Sequence, residues 1–168
     1  MGLHLGVVDP GMTIHDVMLG KCSILQSVYE YDDNLHLIPA KLNYRKRIEY
    51  KNFKSKLNRL KKKYDYILLD SSPSLNSEIK ATLDASDSLF VITTADFPTI
   101  ATTISTVNEA AAFKKPVLGL IVNKYNRWNS QLSRDDIEST VGVEVVSFLQ
   151  NNNKMMKSLA RTTPFVMM

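Results

Sequence analysis

Three apolar runs constrain this chain more than any other feature. Tyr64-Asp65-Tyr66-Ile67-Leu68-Leu69-Asp70, Ser88-Leu89-Phe90-Val91-Ile92-Thr93-Thr94 and Val117-Leu118-Gly119-Leu120-Ile121-Val122-Asn123 are close to continuous rather than alternating. A strand that is apolar on both faces must be covered on both, which is the habit of a parallel sheet flanked by helices. The stretches between the runs have helical periods. Phe53, Leu57, Leu60 and Tyr64 fall at i, i+4, i+7 and i+11, and Ile100, Ile104, Val107 and Ala111 repeat that spacing after Pro98. Ile79, Leu83 and Ser86 form a third stripe. Asn34 to Pro39 reads as a short strand stopped by proline, Ser133 to Thr140 as a capped helix, Val143 to Leu149 as a further strand, and Asn151 to Arg161 as a last helix. The expected fold is therefore α/β, a mostly parallel sheet with helices on both faces.

Length and composition narrow the function classes. At 168 residues the chain is expected to be one domain, burying about 70% of its unfolded surface. No apolar run approaches the ~20 residues that span a bilayer, and Met1 to Asp16 carries His4, Asp9 and Pro10 where a signal peptide would be apolar. A cytoplasmic protein is expected. The single cysteine, Cys22, has no second thiol for a disulfide or a metal clip and reads as a small, partly buried residue. His4, His15 and His36 are not at metal-ligand spacing. The net charge of +4 conceals an asymmetry: Lys41 to Lys63 holds eleven Lys or Arg and one acid, Glu49, while the rest of the chain holds ten basic and sixteen acidic groups.

Candidate chemistry sits at the ends of the apolar runs, where open α/β sheets bind ligands. Asp70 could hold Mg²⁺ through water, or be a solvated or helix-capping carboxylate. Asn123 ends its own run with an amide that offers both donor and acceptor, suited to a purine edge or to turn chemistry. A companion phosphate loop is missing from the sequence. Gly20-Lys21-Cys22 is the nearest candidate, but His15 stands where the leading glycine should be and no strand precedes it. Trp128, in Arg127-Trp128-Asn129, reads as a packed loop anchor or a partner contact.

The order and spacing of several segments make the chain recognisable. Thr13 to Gly20, Leu37 to Ala40, Asp70-Ser71-Ser72-Pro73-Ser74-Leu75-Asn76, Val91 to Thr99, Leu120 to Lys124 and Thr162-Thr163-Pro164 together resemble the ParA/MinD deviant-Walker ATPases, most closely the archaeal MinD-like branch. The resemblance implies ATP and Mg²⁺ held between two protomers, slow hydrolysis, and ATP-controlled attachment to a membrane or nucleoid surface during division-site placement or chromosome and plasmid partitioning. By position, Asp70 would be the Walker B acid acting on Mg²⁺. Ser71, Ser72, Pro73 and Asn76 would belong to the switch that senses the γ-phosphate, Asn123 would contact adenine, and Gln150 would lie near the second base contact, although the usual Pro-acid pair is missing there.

Aligned this way, Met1 falls just past the family's second strand. The first two strands and the phosphate loop with its lysines would lie upstream, leaving a P-loop NTPase-like sheet that is incomplete. The chain alone is then expected not to hydrolyse ATP. In the family the first strand lies beside the Walker B strand. Its loss leaves on the order of ten ladder hydrogen bonds unmade at ~1 kcal/mol each, comparable with a domain's whole stability of ~5–15 kcal/mol. The C-terminus likewise stops before the family's last helix and any membrane-targeting tail. Partners implied by the resemblance are a second copy or a full-length paralogue. The basic segment, with Arg45, Lys46, Arg47, Lys51, Lys54, Lys61, Lys62 and Lys63, is either a solvated crossover helix or a surface for nonspecific DNA or anionic lipid. The alternative to an ATPase domain is a non-enzymatic remnant that binds through that segment or pairs with the paralogue.

Overall fold

The structure is a computed structural model that describes residues 2–7, 9–41, 44, 48–71, 77–126 and 132–162. The chain divides into two compact units, residues 1–85 with 154–168, and residues 86–153.

The second unit carries the sheet. Strands β3 (Leu89–Thr93), β4 (Val117–Tyr125) and β5 (Val145–Gln150) pair in parallel in that order. Helix α4 (Phe97–Ala112) connects β3 to β4, and α5 (Arg134–Val141) connects β4 to β5, the crossover arrangement that parallel strands require. One face of the sheet meets these helices. Val91, Leu120, Val122 and Val145 pack there with Ile100, Ile137 and Val141 as a buried core, and Thr103 of α4 donates to the Thr93 hydroxyl at 2.8 Å, satisfying a buried polar pair. The opposite face is uneven in its cover: Phe90, Ile92, Leu118 and Val146 are about half exposed or more. Gly119 is required where it stands. Its φ is +155°, and an added Cβ would collide with Val146 Cγ1 and come within 3.2 Å of the Glu144 carbonyl.

Both helices start where their caps dictate. Asp96 accepts from Thr99 N at 3.0 Å, with Pro98 in the first turn of α4. Ser133 and Asp136 form a reciprocal capping box on α5, which ends at Gly142 with φ +74°.

The first unit contains α1 (Ile14–Met18), a short antiparallel pair of β1 (Tyr29–Glu30) and β2 (His36–Leu37), α2 (Phe53–Leu57), α3 (Ser77–Ala85) and α6 (Lys154–Arg161). Val17, Ile24, Leu57, Leu60 and Ala85 form its core, and half-buried Cys22 packs against it. The stripe Phe53, Leu57, Leu60 and Tyr64 faces that core as its period implies, although regular α-helix covers only Phe53–Leu57 and the chain continues in turns to Lys63. Tyr64 and His36 also share an edge-to-face ring contact and a hydroxyl–imidazole hydrogen bond of 2.8 Å.

The run Tyr64 to Asp70 departs from expectation. It is irregular, with a bend at Asp65, and it forms no ladder with any described residue. Ile67 and Leu69 rest against the core, while Tyr66 and Leu68 are 87% and 85% exposed. A buried strand was expected from its continuous apolar composition. Burial on both faces needs neighbouring strands as well as apolar side chains, and the described residues supply none.

Asp16 is the most constrained charge in this unit. Only 7% exposed, it accepts from Thr13 Oγ1 at 2.7 Å and Thr13 N at 3.2 Å, and Lys41 and Lys21 lie at 3.2 and 3.6 Å. The Thr13 hydrogen bond, with the two lysines adding to it against the cost of desolvation, holds its carboxyl at about 2 instead of 3.8. A carboxyl whose value is depressed on folding stabilises the fold above the unfolded value and ceases to do so as pH falls through the folded one. Melting temperature is accordingly expected to drop between about pH 4 and pH 2, as read by circular dichroism, and Asp16→Asn should flatten that drop while lowering the melting temperature at pH 7. An unchanged acid profile in the variant would remove Asp16 from the account.

Candidate functional site at the carboxyl ends of the sheet

The carboxyl ends of β3, β4 and β5 form one edge of the second unit, and three features shape it. Beyond β3, Asp96 collects hydrogen bonds from Thr94 and Thr99. The Thr94 hydroxyl, then the Thr99 amide and hydroxyl, lower its carboxyl below the ordinary range. This is a helix cap whose acceptor capacity is spent on its own helix and on the Thr94 hydroxyl.

On β4, the parallel register with β5 slips between Val122 and Tyr125, and Lys124 adopts φ +52°. Such a bulge re-aims the residues it contains. Asn123 sits within it, half-buried, and its Oδ1 accepts from Lys124 N at 2.9 Å. Its amide NH₂ has no partner among the described residues, so two donors remain at the mouth of the strand.

The third feature is the support beneath. Tyr125 and Phe148 meet edge to face with centroids 4.6 Å apart, and the Arg134 guanidinium lies 5.1 Å over the Phe148 ring. Arg134 also bridges Glu138 at 3.2 Å and donates to the Val145 carbonyl, while Glu138 accepts from Val145 N at 2.8 Å. These bonds fasten α5 to the start of β5. Tyr125 is then paired with Gln150, and Asn151 N donates to the Tyr125 carbonyl at 2.9 Å. Asn123 and Gln150 therefore stand on adjacent strand ends, with Gln150 exposed.

The family model described as AAA domain matches residues 3–117. The chain belongs to this family, in its ParA/MinD-like group. It is 22% identical over 168 residues to an uncharacterized ATP-binding protein of Methanocaldococcus jannaschii, covering 99% of this chain and 64% of that protein. Its fold matches the septum site-determining protein MinD of Pyrococcus horikoshii, solved as a complex with Mg-ADP, with TM-score 0.88 and 19% identity over 97% of this chain and 68% of that one. A ParA family ATPase of Chlorobium tepidum matches at TM-score 0.78 and 20% identity, over 96% of this chain and 71% of that one. The chain thus spans a little under two thirds of the archaeal ATP-binding relative.

Against a magnesium nucleotide, the residues of this ParA/MinD-like chain fit unevenly. The open amide of Asn123 suits a base edge. On the phosphate side, the glycine–lysine pair Gly20-Lys21 spends its backbone N–H groups within the chain. Gly20 has φ +72° and closes α1, with Gly20 N and Lys21 N donating back to Val17 and Asp16 carbonyls at 3.1 and 2.9 Å. Lys21 turns its ammonium towards Asp16. Gly6 and Gly11 stand at phosphate-loop spacing ahead of Thr13, a match not weighed in the sequence, but Met12 replaces the lysine and a 3₁₀ turn, Gly2–Leu5, precedes them in place of a strand.

Asp70 and Ser71 lie in the first unit, exposed at the end of the run from Tyr64. Among the described residues no cluster of three or more metal-ligating side chains is present. Ser72, Pro73 and Asn76, like Arg45, Lys46, Arg47 and Trp128, lie outside the described residues. Lys51, Lys54, Lys61, Lys62 and Lys63 are exposed; Lys51 pairs with Glu49 at 2.7 Å and Lys54 approaches Asp84 at 3.8 Å. No helix among the described residues is long and apolar enough to cross a membrane.

The support under β5 can be tested directly. Glu138→Ala leaves Val145 N without its acceptor and Arg134 with only the Val145 carbonyl, and is expected to cost about 1–3 kcal/mol, read as a lower midpoint in urea unfolding. A midpoint within error of the parent would show that the Arg134–Glu138 staple does not hold the strand.

Proposed function

We propose that this chain is the base-contacting part of a MinD/ParA-type ATP switch, the kind of protein that places a division site or partitions DNA, and that by itself it does not hydrolyse ATP. The observation that carries this reading is the imbalance of the nucleotide fit. Asn123 offers amide donors at the mouth of β4, and Gln150 ends the neighbouring strand, whereas the Gly20 and Lys21 N–H groups are donated back to α1.

In phosphoryl transfer, catalysis is largely the positioning and neutralisation of phosphate charge. Backbone N–H groups and a lysine supply most of both. Asp70, Ser71, Ser72, Pro73 and Asn76 would serve as Walker B acid and switch by resemblance, with Asp70 the group towards Mg²⁺. These residues could report on a γ-phosphate only where other residues hold it, so an intact switch would place that duty on residues other than those described here, or on a paralogue.

Calorimetric titration of the purified chain with MgATP is expected to give no measurable binding. Micromolar affinity would overturn the reading, since it would require a phosphate site that these residues do not form.

A second reading, a non-enzymatic binding module, is favoured by the exposed Lys61-Lys62-Lys63 run at the end of the basic segment. Contact with a polyanion would release counterions, so affinity for a nonspecific DNA duplex should fall linearly in log–log form with salt, by about 0.9 per phosphate contacted. Replacing Lys61, Lys62 and Lys63 by Gln is expected to reduce that slope by two to three. An unchanged slope would assign the lysines to solubility alone.

A further inference from the structure

We propose that the cavity between the 3₁₀ turn Ile24–Ser27 and α2 binds a phosphate monoester through Lys56 and Arg59. The cavity has a volume of about 250 Å³ and is lined by Ser23, Ile24, Asn52, Ser55, Lys56 and Arg59. Asn52, Ser55, Lys56 and Arg59 fall at i, i+3, i+4 and i+7, so they share one face of the helical stretch. The neighbouring stripe, Leu57 and Leu60, is buried in the first unit's core with Ile24. Both walls are therefore fixed to the same packed cluster.

The groups that line the cavity select an anion. They include two cations and no carboxylate. Among the described residues neither Lys56 nor Arg59 has an ion pair, and the side chains of Asn52 and Ser55 have no hydrogen bond. Two acids beside α2 are engaged elsewhere: Glu49 pairs with Lys51 at 2.7 Å, and Asp84 approaches Lys54 at 3.8 Å in an adjoining cavity that shares only Asn52 and Ser55 with this one. Lys56 is half-buried, so an anion would supply a counter-charge that the described residues do not. Ser23 serves as wall, because its amide and hydroxyl already donate to Gln26 Oε1 at 2.9 and 3.0 Å.

Size and charge narrow the class. Pockets for drug-sized ligands run ~300–1,000 Å³, so this smaller one takes a head group and leaves no room for a nucleoside. A phosphate monoester brings about −1.5 to −2 charge at pH 7 and three acceptor oxygens. These match a guanidinium fork, an ammonium and a hydroxyl. A carboxylate brings one charge and would leave the second cation unmatched.

The test is an NMR titration of the full chain with inorganic phosphate, at fixed ionic strength and without nucleotide or Mg²⁺. Two charge-assisted hydrogen bonds in an open site support a Kd on the order of 1 mM, with saturable shifts at the Ser55, Lys56 and Arg59 amides. Lys56→Gln with Arg59→Gln is expected to raise Kd about tenfold or more. Ser55→Asp should do the same while keeping both cations, and replacing Lys61, Lys62 and Lys63 by Gln should leave Kd unchanged. All these side chains are half-buried or exposed, so circular dichroism should show the parent fold. Absence of saturation, shifts centred elsewhere, or a Kd indifferent to the double variant or to Ser55→Asp would overturn the proposal.

Vesicle flotation then separates the two sources of such a group. Retention on phosphatidic acid above that on phosphatidylglycerol, lost in the double variant, assigns a lipid head group. Equal retention on both, with phosphate binding intact, assigns a soluble ester. A Kd on the order of 1 mM is about a thousandfold weaker than the micromolar MgATP affinity that would overturn the base-contacting reading, so the two outcomes are distinguishable.

Discussion

Everything in the sheet depends on ladder pairing between parallel strands. A strand whose side chains are apolar on both faces has no stable existence alone: its backbone groups need neighbours, and so do its side chains. In the second unit β4 has a partner on each side, and its Leu120 and Val122 are completely buried. β3 has one partner, and its outward residues Phe90 and Ile92 are 52% and 66% exposed. The run Tyr64 to Asp70 joins no ladder among the described residues, and Tyr66 and Leu68 are exposed further still. Three runs of similar composition therefore end in three environments, graded by the number of strands beside them.

The same dependence organises the carboxyl edge. Asn123 can present its amide because β4 is held on both sides up to Val122 and is then released by the register slip before Tyr125. Tyr125 is recaptured by Gln150 and by the Asn151 amide. The bulge is thus a local opening between two pinned points, and the pins rest on Phe148, Arg134 and Glu138. An amide placed by rigid neighbours costs little further ordering when a ligand arrives.

Much of this was legible in the sequence, for reasons that can be named. β3, β4 and β5 fall within a residue or two of the apolar runs that announce them, because composition and turn residues act locally. α4 begins at its Asp-x-Pro signal and α5 at its Ser-x-x-Asp box. The family was legible too, from the order of several weak segments, and the AAA-domain match bears it out. What composition could not report was whether a neighbouring strand was available. Tyr64 to Asp70 has the composition of a buried strand, and nothing inside the run says that no described strand lies beside it. The bulge at Asn123 was hidden for a related reason: a register slip is a property of two strands, and Lys124, which takes the left-handed backbone, carries no glycine signal.

Within a nucleotide site, base recognition and phosphate recognition make different demands on a chain. Purine recognition needs a few side-chain groups at strand ends, and a strand end is preserved wherever its ladder is preserved. Phosphate recognition needs successive backbone N–H groups turned inward, a conformation that belongs to one loop and cannot be assembled from scattered glycines. Gly20 illustrates the difference: its left-handed conformation is the one such loops use, but its N–H is directed back into α1, whose last turn it closes. A match of TM-score 0.88 can therefore rest on the ladder without reporting on such a loop, since Gly20 takes no part in the pairing of β3, β4 and β5.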